Sequence, residues 1–180
     1  MNLLSGVIWI TGVSGSGKTT LAKQVISQLK VETSPVYLDG DDLREIFFDD
    51  SKERIDKYDR QSRLSLAKKY ARLANHIASQ GFTVIIATIS LFHEIHTWNR
   101  SNIKNYFEVF INVPLDILLK RDPKGIYQSY YNGKIKNIAG LDLKVEKPKA
   151  ADFIVNYSPD NSILIEAQNL IKSYKEKGMK

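Results

Sequence analysis

The sequence predicts an α/β fold, a three-layer sandwich in which helices cover both faces of a mostly parallel, five-stranded sheet. Two observations predict it. Short runs of β-branched and aromatic residues alternate along the chain with stretches whose apolar residues recur at helical spacing. In addition, the run at residues 82–89 is almost entirely apolar, which is typical of a central parallel strand covered on both faces. Repeated strand–helix units of this kind indicate a parallel sheet.

The individual elements follow from the same patterns. Strands are predicted at residues 7–10, 35–38, 82–89, 107–113 and 152–155. Helices are predicted at residues 19–29, 60–80, 115–121 and 162–174. The second of these helices is the longest and stops at Gly81, a residue typical of helix carboxyl ends. The segment 122–150 has weak periodicity and is too long for an ordinary connection, so we expect it to be a mobile lid within a single domain of residues 1–180.

Composition limits the classes of protein to consider. The chain has 180 residues, 43% hydrophobic and 26% charged, which suits one globular domain. The absence of cysteine excludes disulfides, thiolate metal sites and a cysteine nucleophile. The amino-terminal apolar stretch is too short for a signal or membrane segment, so we expect a cytoplasmic protein with no membrane partner. The net charge of +6 suits either an enzyme that attracts phosphorylated substrates or a lysine-rich surface. No basic and aromatic stripe indicates nucleic-acid binding.

The strongest motif is a glycine-rich loop. Residues 12–19 match the P-loop pattern G-x-x-x-x-G-K-[ST] in full, and they lie between a predicted strand and a predicted helix. Backbone N–H groups of such a loop surround the β-phosphate of ATP, the lysine bridges the β- and γ-phosphates, and the following hydroxyl reaches Mg²⁺. A glycine-rich turn that binds nothing is disfavoured because every pattern position is filled. The predicted ATP-binding residues are Gly12, Ser14, Gly15, Ser16, Gly17, Lys18, Thr19 and Thr20.

A second polar motif, DGDDLR at residues 39–44, follows the second predicted strand, at the sheet edge where ligands bind. Carboxylates at this position can hold Mg²⁺ through its waters, and one of them can orient or deprotonate an attacking hydroxyl. Arg44 can clamp a phosphate or a sulfate of an acceptor. An aspartate-rich turn that caps a helix is the structural alternative. The position of the DGDDLR motif beside a P-loop favours the functional interpretation, which is phosphoryl transfer to the hydroxyl of a small molecule.

With these motifs in place, the chain resembles the adenylylsulfate kinases, which phosphorylate the ribose 3′-hydroxyl of adenosine 5′-phosphosulfate. The resemblance is carried by residues 12–20, 38–44, 59–60, 89–90, 121–127 and 135–137, in order over almost the whole chain. The run RDPKGIY at residues 121–127 is far more specific to this family than the P-loop alone. The resemblance implies the fold of P-loop NTPases, with ATP and Mg²⁺ as cofactors and a small nucleotide as acceptor.

The resemblance also implies which residues react and which bind. Asp41 would be the magnesium-associated base or positioner of the 3′-hydroxyl, with Asp39 in support. The implied catalytic set is Lys18, Asp39, Asp41 and Ser90, and the implied metal ligands are Thr19 and Asp41. Arg121 would approach ATP. The implied acceptor-binding residues are Asp41, Arg44, Ile55, Arg60, Arg63, Ser90, Lys136, Asn137 and Ile138, with the phosphate-containing end of the acceptor at Arg44 and Arg60.

The departures from the family pattern lie on the acceptor side. The family grips the acceptor adenine between two phenylalanines, and the corresponding positions here hold Ile55 and Ile138. Because stacking of a base on an aromatic ring contributes roughly 1–3 kcal/mol, losing both rings would weaken adenine binding by a factor on the order of 10 to 10⁴ unless the pocket is rebuilt. Arg63 stands where the family usually has asparagine. An intact ATP side and an altered acceptor side indicate the same reaction on a different nucleotide.

The sequence therefore leaves two possible acceptors and one further class of function open. A related type of enzyme, cytidine diphosphoramidate kinase, phosphorylates the 3′-hydroxyl of a cytidine nucleotide, and branched aliphatic side chains would suit the smaller pyrimidine. Adenylylsulfate itself is the alternative acceptor. A regulatory module that binds nucleotide is the third option, although no Asn-Lys-x-Asp motif for reading guanine is present. A homodimer is an oligomeric state that the sequence leaves open.

Overall fold

A parallel sheet forms the centre of the computed structural model, which describes residues 5–48 and 58–178. The strands are β1 (Gly6–Thr11), β2 (Val36–Asp39), β3 (Thr83–Thr88), β4 (Tyr106–Asn112) and β5 (Phe153–Asn156). They lie in the order β2-β3-β1-β4-β5, and each neighbouring pair is parallel. The central strand β1 pairs with both β3 and β4, which explains why its six residues are all buried. The predicted five-stranded sheet is confirmed.

The described parts of the chain form seven helices, most of which pack against the two faces of the sheet. They are α1 (Lys18–Leu29), α2 (Gly40–Phe47), α3 (Arg60–Ser79), α4 (His93–Asn102), α5 (Leu115–Arg121), α6 (Ile126–Tyr131) and α7 (Ile163–Gly178). Alternate residues of each strand point to opposite faces. Trp9 therefore packs in the core with α3 and α4, whereas Ile8 and Ile10 pack in the core with α1 and α7. None of the described helices is long and apolar enough to cross a membrane.

The predicted boundaries agree with the structure to within one residue, except at the end of α7. The apolar pattern of that helix stops at Tyr174, but the helix continues to Gly178 in a polar last turn. Three helices were not predicted as separate elements: α2, α4 and α6. The first of them begins directly after β2, where Asp39 is the N-cap residue and accepts a hydrogen bond from the Asp41 N–H at 2.9 Å. The aspartate motif therefore caps a helix as well as lying at the ligand-binding edge.

A buried polar cluster joins α4 to the middle of β4. The Glu108 carboxylate is buried and accepts hydrogen bonds from the Tyr106 hydroxyl at 2.9 Å and from Arg100 Nη2 at 3.2 Å. It also contacts His96 Nδ1. The Glu108 N–H donates to the Asp152 carboxylate at 2.8 Å, which links the cluster to β5. Burial alone would raise the pKa of Glu108, but the hydrogen bonds from His96 and Tyr106 and the charges of His96 and Arg100 hold it below its usual value.

We expect Glu108→Ala to lower the free energy of unfolding by about 1–3 kcal/mol, because it leaves the buried polar groups of His96 and Tyr106 without their partner. Arg100 keeps its ion pair with Asp152. Urea denaturation at pH 7 measures the change. A group whose pKa is lowered by folding stabilises the fold above its unfolded pKa and loses that contribution as the pH falls through the folded pKa. The difference in the free energy of unfolding between the wild type and the variant should therefore shrink as the pH falls below the usual glutamate pKa of 4.5.

The matched control is Glu176→Ala, at an exposed position on α7. Surface substitutions of this kind change stability by about 0.5 kcal/mol or less. Equal effects of the two substitutions at pH 7 would show that the cluster adds nothing to stability.

Candidate active site

The loop between β1 and α1 forms one wall of a cavity of about 1210 Å³. Gly15 and Gly17 have φ angles of 74° and 95°, a left-handed conformation that favours glycine. These turns curl the backbone around the start of α1, whose first N–H groups have no acceptor within the helix and so suit a phosphate. Of the predicted ATP-binding residues, those that line the cavity are Ser14, Gly15, Gly17, Lys18, Thr19, Thr20 and Arg121.

Gly12 and Ser16 lie behind this wall. Ser16 is buried, and its hydroxyl has no hydrogen-bond partner within the described residues. A Cβ atom on Gly12 would lie 2.6 Å from Ser16 Oγ, closer than packed atoms approach. These two predicted residues therefore shape the loop from behind, and they do not line the cavity in this conformation.

Lys18 is held at the floor of the cavity. Its Nζ donates to the carbonyl of Val13, in the same loop, at 2.8 Å. Although part of the side chain is accessible to solvent, burial lowers the pKa of Lys18 to about 8. The charges of Asp41 and Asp39 oppose this change, and the charge of Lys124 adds to it. The loop thus presents an ammonium group whose charge is poorly compensated before a phosphate binds.

We expect the affinity for Mg·ADP to decrease above pH 8. Only the protonated lysine attracts phosphate, and bound phosphates raise its pKa. Affinity is therefore full below pH 8 and falls by up to about tenfold per pH unit above it, until the pKa of the complex is reached. Calorimetric titration at pH 8 in two buffers of different ionisation enthalpy should detect uptake of about half a proton per nucleotide. Lys18→Met should bind more weakly and take up none; no uptake by the wild type would contradict the expectation.

Asp39 fixes the acidic end of β2 against the P-loop helix. Its Oδ2 accepts hydrogen bonds from the Tyr37 hydroxyl at 2.6 Å and from Thr19 Oγ1 at 3.1 Å. Burial would raise the pKa of Asp39, but the hydrogen bonds from Tyr37, the Asp41 backbone and Thr19 outweigh it and lower the pKa. Asp39 is therefore an ionised carboxylate with a defined position. Tyr37, which the sequence analysis did not assign to the site, sets that position.

Asp41 lines the same cavity and contacts a lysine from a distant part of the chain. Lys124, in the segment 122–150, donates from Nζ to Asp41 Oδ2. This hydrogen bond is the main reason why the pKa of Lys124 is raised. The sequence analysis gave Lys124 no role, although it belongs to the family-specific run RDPKGIY. Membership of that run was the sequence signal that Lys124 belongs to the site, and the structure adds its contact with Asp41.

The arrangement of oxygen atoms fits Mg²⁺ bound together with a nucleotide. Within residues 5–48 and 58–178, no three His, Cys, Asp or Glu side chains converge on a ready-made metal site. A nucleotide-bound Mg²⁺ needs less, because phosphate oxygens and waters complete a set of one or two protein ligands. The Thr19 hydroxyl and the Asp39 carboxylate lie together at the mouth of the loop. Asp41, which was also predicted as a metal ligand, contacts Lys124.

The other side of the cavity holds most of the residues predicted for the acceptor. Ser90 is buried at the end of β3, and its hydroxyl lies 3.0 Å from the hydroxyl of Thr88. Ile138 is buried and packs with Leu118 and Tyr127. The predicted acceptor residues that line the cavity are Asp41, Arg44, Arg63, Ser90, Lys136 and Ile138.

Two predicted acceptor residues of the described chain, Arg60 and Asn137, do not line the cavity. Arg60 lies 3.3 Å from the Glu94 carboxylate and 3.4 Å from that of Glu146, so its charge is used in ion pairs outside the cavity. Asn137 contributes its backbone, since its carbonyl accepts a hydrogen bond from Arg63. Ile55 lies outside the described residues.

Tyr58 is an aromatic residue of the acceptor side that the sequence analysis missed. It lines the cavity directly before the motif Asp59-Arg60. The guanidinium carbon of Arg44 lies 4.4 Å from the centre of its ring, and that of Arg63 lies 5.1 Å from it. An aromatic residue next to a binding motif was the available signal.

The glycine-rich loop at the end of the central strand, together with acidic residues at the end of a neighbouring strand, defines the class of protein. Such a site binds a nucleoside triphosphate at the loop and leaves the far side of the cavity for a second substrate. The protein is a P-loop phosphotransferase.

Comparison with known proteins identifies the family. The family described as adenylylsulphate kinase matches residues 4–156, and the chain belongs to it. The chain is 40% identical over 167 residues to cytidine diphosphoramidate kinase of Campylobacter jejuni, covering 92% of this chain and 94% of that protein. It is 32% identical over 154 residues to a probable adenylyl-sulfate kinase of Archaeoglobus fulgidus, covering 85% and 96% of the two chains.

A solved structure agrees with this assignment. The APS kinase of Mycobacterium tuberculosis, in complex with AMPPNP and APS, superposes with a TM-score of 0.82 at 31% identity, covering 93% of this chain and 95% of that chain. The protein is thus an ATP-dependent kinase of the adenylylsulfate kinase type, and the predicted P-loop fold and family are confirmed.

Proposed function

We propose that this kinase transfers the terminal phosphoryl group of Mg·ATP to the 3′-hydroxyl of a cytidine nucleotide of the cytidine diphosphoramidate type. The observation that carries the proposal is the acceptor wall of the cavity, where the aliphatic Ile138 replaces the phenylalanine of the family pattern. A wall without that ring gives up part of the stacking energy that a purine would gain. The 40% identity to a kinase named for cytidine diphosphoramidate supports the same choice.

The ATP side supports phosphoryl transfer by this chain's own groups. Lys18 and the backbone N–H groups of the loop would bind the β- and γ-phosphates. Thr19 and Asp39, which lie 3.1 Å apart, would hold Mg²⁺ through oxygen atoms and waters. Mg²⁺, when bound, neutralises charge on the phosphates. This arrangement leaves Asp41 for the acceptor.

Asp41 would orient the 3′-hydroxyl and accept its proton as the oxygen attacks. Lys124 contacts its Oδ2 in the free protein, and in this proposal the hydroxyl takes the place of that ammonium group. Lys124 would then be released close to Lys18, where a second positive charge can stabilise the transferred phosphoryl group. The predicted closure of the segment 122–150 would exclude water, which competes as an acceptor.

Adenylylsulfate is the second candidate acceptor. Arg44, Ser90 and Lys136, which the family resemblance implies for that substrate, line the cavity here. The solved relative with a TM-score of 0.82 is described in complex with APS. These observations are compatible with either nucleotide, because both carry an anionic tail and a ribose 3′-hydroxyl.

Steady-state kinetics with Mg·ATP and each acceptor tests the proposal. We expect kcat/KM for cytidine diphosphoramidate to exceed that for adenylylsulfate by about 10- to 10⁴-fold, the range that loss of two stacking rings predicts. The phosphorylated product is identified by ³¹P NMR, and ATP hydrolysis without acceptor is the blank. A higher kcat/KM for adenylylsulfate would reverse the assignment. A regulatory module would bind or hydrolyse ATP and form no phosphorylated acceptor.

A further inference from the structure

Tyr37 lies on β2, two residues before the aspartate that ends this strand. Because residues i and i+2 of a strand point to the same face of a sheet, Tyr37 and Asp39 both point to the face that α1 covers. Thr19 is the second residue of that helix. These three positions bring a phenol, a carboxylate and an alcohol together at the carboxyl end of β2.

Tyr37 is not one of the residues that line the cavity. Its ring is half-buried and packs against the core on the side of α1 and α7. Its hydroxyl donates to Asp39 Oδ2 at 2.6 Å, which is shorter than the 3.1 Å hydrogen bond from Thr19 to the same oxygen. Any effect of Tyr37 on the reaction must therefore act through the polar groups that its hydroxyl contacts.

The Asp39 carboxylate is nearly saturated with hydrogen-bond donors. A carboxylate offers about four lone-pair sites. Oδ2 accepts from Tyr37 and Thr19, and Oδ1 accepts from the Asp41 N–H at 2.9 Å. Donors from the described residues thus leave one site, on Oδ1, for a water of bound Mg²⁺. Because Thr19 gives its only hydroxyl proton to Asp39, the lone pairs of its oxygen remain available for a metal ion.

Two ammonium groups of the cavity compete for the same carboxylate. The charge of Lys124 lowers the pKa of Asp39, and the charge of Asp39 opposes the lowering of the pKa of Lys18, so both lysines are close enough to attract it. Charge-assisted hydrogen bonds of this kind are strong. Without the hydrogen bond from Tyr37, Asp39 would be free to turn toward a lysine and away from Thr19.

We propose that Tyr37 is a positioning residue for the magnesium ion of Mg·ATP, because its hydroxyl holds Asp39 on Thr19 and away from the lysines of the cavity. The ligand class is a divalent cation that binds together with a nucleoside triphosphate. Outer-shell partners orient metal ligands in this way, and their loss weakens metal binding. The inference rests on the proposed place of Mg²⁺ at Thr19 and Asp39, and it does not depend on which acceptor is used.

Nucleotide binding with and without metal tests this role. The full-length protein is titrated calorimetrically with AMPPNP, an unreactive ATP analogue, once in excess Mg²⁺ and once in EDTA. The ratio of the two dissociation constants measures how much the metal tightens binding. We expect tightening of at least about tenfold for the wild type, and Tyr37→Phe should lose most of it, since an outer-shell partner typically contributes about 10- to 100-fold. Binding in EDTA should be nearly unchanged.

Two comparisons separate this role from a structural one. Tyr70→Phe removes a hydroxyl that donates to the Gly40 carbonyl of the same turn, at 3.0 Å, and it should keep the tightening by Mg²⁺. Asp39→Asn retains a residue that caps helices and should lower the tightening. Adding Tyr37→Phe to Asp39→Asn should then change little, because two residues that act through one contact are not additive. Tyr37→Met replaces Tyr37→Phe if thermal unfolding shows that the latter is not folded.

The Mg²⁺ dependence of the kinase rate gives a second readout. Tyr37→Phe should need more Mg²⁺ for half-maximal rate and reach a kcat within about twofold of the wild type at saturation, a split that a general loss of structure would not produce. The inference is overturned if Tyr37→Phe keeps the wild-type tightening, or if Tyr70→Phe loses as much.

The same titrations distinguish failure of the inference from failure of the proposed function. If Mg²⁺ tightens binding and Asp39→Asn lowers this effect while Tyr37→Phe does not, the proposed metal site stands and the inference about Tyr37 is wrong. If Mg²⁺ does not tighten binding to the wild type, the proposed place of the metal at Thr19 and Asp39 is wrong, and the inference fails with it. Because the titrations contain no acceptor, the identity of the acceptor does not affect either result.

Discussion

Lys18→Ala should abolish measurable turnover, with kcat reduced by at least about 10²- to 10³-fold, the typical effect of removing one preorganised donor to a developing negative charge. Lys18 lines the cavity and is held by the Val13 carbonyl of its own loop. In P-loop enzymes this lysine bridges the β- and γ-phosphates. Steady-state assays with saturating acceptor measure the effect.

Lys23→Ala is the control for this substitution. Lys23 lies on the same helix, α1, but is exposed and does not line the cavity. Its removal should change kcat less than about twofold, because surface substitutions away from the site are close to neutral. A near-normal kcat for Lys18→Ala would mean that the loop does not bind the triphosphate as proposed.

Asp41→Asn should lower kcat by about 10²- to 10⁴-fold, the range for loss of a general base, and should change the KM for ATP little. An interaction made mainly in the transition state affects kcat in this way, whereas ground-state binding affects KM. Asparagine keeps the size of the side chain but cannot accept the proton of the hydroxyl. It also removes the charge that Lys124 contacts in the free protein.

The adjacent acid serves as a control for Asp41. Asp42 is exposed and does not line the cavity, so Asp42→Asn should retain kcat within about twofold. If Asp41→Asn instead raised the KM for ATP and left kcat unchanged, Asp41 would belong to nucleotide binding. In that case Asp39, which accepts a hydrogen bond from Thr19, would be the remaining candidate for the hydroxyl.

The ATP side of the site was predictable because its residues are contiguous. Residues 12–19 carry the glycines, the lysine and the hydroxyl in one turn of chain, and local backbone geometry places them together. Runs of apolar residues likewise predicted every strand to within one residue. The signal is continuous in the inner strands β1, β3 and β4, because they are buried on both faces of the sheet. The helices α2 and α6 each bury a single residue, and α4 buries one apolar and two polar residues, so none of the three carries such a signature.

The acceptor side was less predictable because it is assembled from distant segments. Arg60 and Arg63 are three residues apart on α3, and the sequence offers no reason to send one to Glu94 and the other to the cavity. The rotation of α3 about its axis decides this, and packing of its apolar face against the sheet sets that rotation.

The order of residues along the chain was enough to establish an α/β phosphotransferase with its P-loop, since hydrophobic periodicity and a contiguous motif are local properties. The pairing of Lys124 with Asp41 across 83 positions, and the meeting of Arg44 and Arg63 at Tyr58, came from the folded structure alone. Contacts between charged groups depend on distances of a few ångströms, and those distances are set only when the segments pack against the sheet.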